Sequence, residues 1–264
     1  MKHSGLALLL GLCAGVGIGS LAPGGAVAVA QTVTKSSISE EARSAIAQMG
    51  KTLTEKNFSF QARTIREYNS DDGLPLNIEH EFKVTVRRPD RLLVDGSGDD
   101  GQRTLIYDGK TVVIARDNGK DYATLPVPDT IQRMMYVVMG RFGLDFPLAD
   151  FLTDDPAKAF LKGVTSGREI NTVTIDGVPC RHLLFMQPPG IELELWVEDN
   201  DRAVPRRLIV TYNAMPTKPR FIAEMFDWNF AVQPADAEFA FKPPEGAKQF
   251  DFGTAAGSLH AGAP

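Results

Sequence analysis

The chain has 264 residues, 43% of them hydrophobic, with 28 Lys and Arg against 33 Asp and Glu and a formal net charge of -5. Affinity for nucleic acid rests on cationic side chains that neutralise phosphates and release counterions, so this acidic balance excludes nucleic acid as a partner. Two cysteines cannot make a disulfide scaffold, the apolar fraction excludes a disordered polymer, and the length suits one large β-rich domain or two small ones.

At the N-terminus Lys2 and His3 precede an uncharged run from Gly5 to Leu21, which ends at Pro23-Gly24-Gly25 and Ala28-Val29-Ala30. The pattern predicts a secretory signal cleaved after Ala30. Two other readings of the segment stand beside it. Gly11, Gly15 and Gly19 have the spacing of a membrane-helix contact face, and Cys13 would be the acylated residue of a lipoprotein signal, although Leu12 is bulky where such signals need a small side chain. Cleavage would leave Cys180 as the single thiol, so no intramolecular disulfide can form and stability must come from the core.

The first element is expected as a helix from about Ser39 to Leu53, with Ala42, Ala45, Ile46, Met49 and Leu53 on one stripe and Ser37 and Glu40 offering a capping box. After Lys56 the pattern changes to period two. The clearest case is Leu76 to Val86, where Leu76, Ile78, His80, Phe82, Val84 and Val86 alternate with polar residues, as in a half-buried antiparallel strand. Further strands are expected at Arg91-Val94, Arg103-Tyr107, Thr111-Ala115, Tyr122-Leu125, Glu169-Ile175, Arg181-Phe185, Glu192-Val197, Arg206-Tyr212 and Phe221-Phe230. Asp108-Gly109, Asn118-Gly119 and Asp176-Gly177 are hairpin dipeptides. Many short strands without βαβ alternation predict one curved antiparallel sheet or barrel, in a single domain over residues 31–252 with a disordered tail at 253–264.

The strand series is interrupted from about Pro126 to Leu161. Pro128-Asp129 would start a helix in which Ile131, Met134, Met135 and Val138 form a stripe, while Tyr136, Val137, Met139 and Phe142 carry apolar surface round the other faces. Such a helix should not have a wet side. Two shorter helical pieces are expected near Pro147 and Asp154-Asp155-Pro156. The segment reads either as a helical hairpin plugging the core or as a lid over an apolar cavity, for which the adaptable methionine thioether is suited.

Six motifs follow in order: Arg87-Arg88-Pro89-Asp90-Arg91-Leu92, Tyr107-Asp108-Gly109-Lys110-Thr111, Leu148-Ala149-Asp150-Phe151-Leu152, Asp176 to Leu183, Leu195-Trp196-Val197 and Pro205-Arg206-Arg207. Over about Ser39 to Phe252 the chain resembles the predicted periplasmic family known as domain of unknown function 2092. That family in turn resembles the LolA/LolB-like lipoprotein-carrier superfamily. The resemblance implies a periplasmic protein with an N-terminal helix, an unclosed β-barrel and mid-chain helices that cap a hydrophobic cavity for acyl chains. The ligand would be a lipid or lipoprotein acyl chain, the protein a monomer that transiently meets an inner- or outer-membrane partner. An envelope-stress sensor or scaffold built on the same fold is the alternative.

A carrier must replace the membrane. Withdrawing a ~16-carbon acyl chain loses about 12 kcal/mol at ~0.8 kcal/mol per methylene. Phenylalanine offers area without an unsatisfied donor, and the chain has 15 Phe against 5 Tyr and 2 Trp. Candidate lining residues are Phe82, Val84, Met134, Met135, Val138, Met139, Phe142, Leu193, Leu195, Phe226 and Trp228. Arg87, Arg88, Arg206 and Arg207 are candidate docking charges for anionic lipid or a partner.

A secreted hydrolase is the rival class. Beyond the signal the histidines are His80, His182 and His260. His80 lies on the apolar face of its strand, and His182 shares a face with Cys180, Leu184 and Met186, so both are expected inside as hydrogen-bonded core residues. Alternate residues on a strand stand about 6–7 Å apart, too far for direct proton transfer between Cys180 and His182. Asp71-Asp72, Asp99-Asp100 and Asp154-Asp155 fall in turns or at helix starts rather than in a metal cluster, and no nucleophile elbow, phosphate loop or zinc-helix motif is present. No metal, cofactor or catalytic residue is expected.

Overall fold

The period-two alternation that follows Lys56 folds into one continuous sheet. A computed structural model describes residues 37–70, 73–144 and 146–253; the expected signal and cleavage point, and the tail apart from Gly253, lie outside the described residues. The strands are β1 (Ser37–Ile38), β2 (Asn57–Asn69), β3 (Pro75–Arg87), β4 (Arg91–Gly98), β5 (Gly101–Tyr107), β6 (Thr111–Arg116), β7 (Asp121–Pro126), β8 (Ser166–Ile175), β9 (Val178–Gln187), β10 (Ile191–Glu198), β11 (Pro205–Tyr212), β12 (Arg220–Asn229) and β13 (Lys248–Gln249). Their order is β1-β8-β9-β10-β11-β12-β2-β3-β4-β5-β6-β7-β13, so the two ends, β1 and β13, do not pair and the sheet stays open. Every pairing is antiparallel except at those ends, where β1 runs parallel to β8 and β13 parallel to β7. Two-residue strands blunt edges that would otherwise offer rows of free backbone groups.

Turn chemistry agrees with the sequence. Asp176 and Gly177 both take positive φ, 48° and 80°, as a tight hairpin with right-handed strand twist demands. Asp108 closes the β5–β6 turn by accepting the Lys110 and Thr111 amides at 2.9 and 2.7 Å.

The helices lie on one face of the sheet. Helix α1 (Glu40–Leu53) buries Ala42, Ala45, Ile46, Met49 and Leu53, the predicted stripe, and Ser39 rather than Ser37 caps it by accepting the Ala42 amide. It packs against α3 (Pro156–Phe160) so closely that a Cβ on Gly50 would fall 2.7 Å from that of Ala157. Helix α2 (Ile131–Phe142) is capped by Thr130 and ends in Gly143, whose φ of 70° allows the left-handed stop.

The expectation that α2 has no wet side is not met. Tyr136 is 63% exposed, and only Ile131, Met134, Met135 and Val138 are buried. Arg133, Gly140 and Arg141 are exposed and supply a polar side, and the tyrosine hydroxyl tolerates water beside it. Val137, Met139 and Phe142 are half-buried at its margins.

The other face carries a smaller apolar cluster, Ile106, Val113 and Phe239 with Leu93, Tyr122 and Phe241, formed as the chain after β12 crosses β4 to β6. Burial on both faces explains why β6 reads Val112-Val113-Ile114-Ala115 without alternation.

Candidate functional site

Cross-strand register defines the site row by row. On the helix-facing side of β2 and β3 the pairs run Phe58 with Val86, Phe60 with Val84, Ala62 with Phe82, Thr64 with His80, and Arg66 with Ile78. The same rows continue into β4 as Leu92, Val94, Gly96 and Gly98, and into β5 as Tyr107, Leu105, Arg103 and Gly101. Polarity therefore changes along the strands. The deep rows are aliphatic and aromatic, while the outer rows bring Thr64, Arg66, His80 and Arg103 to the same side.

A cavity of about 140 Å³ lies over the boundary between these rows. Phe82, Leu92, Val94, Leu105, Ile114 and Phe221 form its sheet wall, and Met135 of α2 with Leu144, Phe146, Pro147 and Leu148 forms the opposite wall. Arg66, Tyr68, His80, Arg103 and Thr104 stand on the same lining. Room for it comes from two glycines of β4. A Cβ on Gly96 would fall 2.4 Å from the Phe82 ring, and one on Gly98 2.5 Å from the His80 ring, so both rings lean over bare backbone.

The polar rim is held in place. Asp100 accepts from Arg103 at 2.8 Å and contacts His80 Nε2 at 2.7 Å, with all three side chains less than one-fifth exposed. The imidazole stacks on Phe82 with centroids 5.5 Å apart. The Arg66 guanidinium lies over Phe221 at 5.2 Å and near Tyr68 at 6.0 Å, a cation–π arrangement at the wall of the cavity. Arg103 Nε is buried without a hydrogen-bond partner.

Of the residues expected to line a cavity, Phe82 and Met135 do so. Val84, Met134 and Val138 are fully buried in the adjoining core, and Met139 and Phe142 pack at its edge. Leu193 and Leu195 point to the same side of the sheet but belong to the core around β9 to β11. Phe226 and Trp228 are separated by an irregularity in β12, where Asp227 takes a φ of 53°. Phe226 falls on the opposite face beside Arg63, whereas Trp228 turns in and stacks on Phe60 at 4.3 Å. Sequence reasoning misses the rest of the lining, including Arg66, Tyr68 and Arg103 on the strands and Leu144, Phe146, Pro147 and Leu148 after α2. Their one signal is the lapse of clean alternation where strands should continue.

The proposed docking arginines are each paired with groups of the same fold. Arg88 is 11% exposed and donates to the Leu53 and Leu152 carbonyls, tying the end of α1 to the turn before α3; burial pushes its pKa down. Arg87 binds Asp236, Arg206 faces Glu198, and Arg207 binds Glu224.

Nor do Cys180 and His182 share the inside. Leu183 and Phe185 are the inward residues of β9, and Met186 is 36% exposed. His182 lies flat on Trp196 at 4.1 Å with its Nε2 2.9 Å from Glu194. Cys180 is buried, its Sγ donating to the Val178 carbonyl, and burial raises the thiol pKa, the reverse of nucleophile activation.

No curated protein sequence matches the chain. Among solved structures, it is similar to lipoprotein LppX of Mycobacterium tuberculosis, with 17% identity over 74% of this chain and 99% of that one and a TM-score of 0.46. An uncharacterized conserved protein from Thermus thermophilus shares 10% identity over 80% and 99% of the two chains, with a TM-score of 0.47. The LolA superfamily protein NE2245 from Nitrosomonas europaea shares 11% over 75% and 97%, with a TM-score of 0.36. The model of one family, described as Predicted periplasmic protein (DUF2092), matches residues 42–253. The chain therefore belongs to this family of periplasmic proteins.

Proposed function

We propose that the protein is a periplasmic binding or carrier protein that holds an acyl chain between its sheet and α2, and that binding rather than turnover is its activity. The observation that carries this reading is the cavity itself. Six sheet residues and five from α2 and the following segment enclose an apolar space, and Met135 lends it an adaptable wall.

Size sharpens the reading. An apolar cavity of ~150 Å³ accommodates benzene, so about 140 Å³ takes roughly the first half-dozen carbons of a chain. A longer chain must displace α2 and the 146–148 segment. Each further methylene then adds about 0.8 kcal/mol only as far as that wall yields.

The test is titration of the purified protein with a fluorescent fatty acid, alongside native mass spectrometry of protein isolated from the periplasm. Saturable binding is expected, with loss of at least tenfold in affinity in Met135→Trp, whose indole fills the cavity. Absence of binding, or equal binding by Met135→Trp, would sink the proposal.

A further inference from the structure

The rows above the apolar floor carry a second kind of chemistry. Two guanidinium groups and an imidazole, Arg66, Arg103 and His80, stand on the lining of a cavity whose deep wall is Phe82, Leu105 and Ile114. Asp100 is one carboxylate that serves both the Arg103 guanidinium and the imidazole, and sheltering charge from water costs free energy that a further acceptor would offset.

Three features show a rim set for a ligand. Among the described residues Arg103 Nε is one of two buried side-chain donors with no partner, the other being Arg206 Nε away from the cavity. Asp100 fixes the neighbouring imidazole and guanidinium by contacts of 2.7 and 2.8 Å, so neither has to be ordered on binding. The Arg66 guanidinium lies against the Phe221 ring, which itself lines the cavity, so charge and apolar wall meet at one point.

We infer that this rim binds the anionic head of a single-chain amphiphile, a carboxylate or phosphate monoester, whose alkyl chain enters the cavity beneath. Arg103 takes the head oxygens, with Arg66 and His80 beside it, and the chain passes over Phe82 towards Met135. Guanidinium suits this head because its forked donors match carboxylate and phosphate oxygens. The assignment rests on the proposed acyl-chain cavity and adds to it the chemical class of the head.

Calorimetric titration of the full-length protein with decanoate and with 1-decanol separates the two ideas, because the ligands share a chain and differ in charge. Decanoate is expected to bind at least tenfold more tightly than decanol, as charge-assisted hydrogen bonds in a sheltered site imply. Arg103→Gln should weaken decanoate about tenfold and bring the ratio towards one, and Arg66→Gln should act in the same direction. Equal affinity of the wild-type protein for both ligands overturns the head site and leaves the cavity standing. Failure of both to bind overturns the two together. Inorganic phosphate that binds as tightly as decanoate, and equally in Met135→Trp, overturns the amphiphile in favour of a free-anion site. Should either arginine variant fail to fold, the wild-type ratio decides.

Discussion

Two side chains, one fully buried and one nearly so, anchor the segments on either side of α2. Tyr107, fully buried, donates its hydroxyl to the Pro128 carbonyl just ahead of α2. Burial, with Asp90 and Asp129 nearby, pushes the phenol up to about 12. The folded state thus favours the neutral form. Its contribution is complete below the unfolded value near 10 and is lost as pH rises from ~10 to ~12. Tyr107→Phe should cost about 1 kcal/mol at pH 8 through the missing hydrogen bond. That deficit relative to wild type should shrink between pH 10 and 12 in urea unfolding, and a constant deficit would count against the assignment. Arg88 is the second anchor. Arg88→Ala takes the donor from the Leu53 and Leu152 carbonyls, and at ~1–3 kcal/mol for each buried polar group left unpaired we expect about 2–6 kcal/mol of destabilisation, read as a lower urea midpoint.

At the scale of elements, the glycines of β4 set the cavity's depth. Gly96→Val would drive its side chain into the Phe82 ring, which has to rotate into the space where a ligand chain would lie. Affinity for a fluorescent fatty acid should fall at least tenfold while the variant still folds. Unaltered affinity would show that Phe82 does not govern that space. The same residues explain what sequence periodicity could and could not disclose. Strand β3 alternates cleanly because all its inward residues but His80 are apolar, and α1 shows its stripe for the same reason. Strand β2 escapes a search for alternation although it pairs with both β12 and β3, because Thr64 and Arg66 occupy inward positions and blur the pattern. Strand β4 runs to Gly98 rather than Val94, and β5 starts at Gly101 rather than Arg103, because the rim is built of glycine and charge. Alternation is a record of burial, so it fades where a strand lines a site. Helix α2 misleads in the other direction, since composition alone does not say which of its apolar residues meet water.

Across the whole chain, the least legible part is the return of the C-terminal segment, because residues 231–253 contain little regular structure and their contacts depend on a sheet that sequence cannot place. This segment first covers the outer face through Phe239, then adds β13 to the edge of β7, and finally brings Phe252 back to α2. There the Phe252 ring, 4% exposed, meets Phe142 edge-on at 5.1 Å. One stretch of chain thus links the outer face, the open edge and the end of α2. Among the described residues nothing covalent closes the cavity, since the thiol of Cys180 is free, so this latch is the contact whose strength should set the rate at which α2 yields to a long chain. Phe252→Ala removes a ring at the margin of the core, where neighbours can relax into the gap, and should cost about 2–3 kcal/mol, below the ~3–5 typical of a central phenylalanine. Because α2 keeps its own buried stripe, the cavity should survive. Stopped-flow mixing with a fluorescent fatty acid should then show association and release both accelerated, with a smaller change in affinity. Unchanged rates in a measurably destabilised variant would mean that α2 yields elsewhere, and its left-handed stop at Gly143 would become the hinge to test.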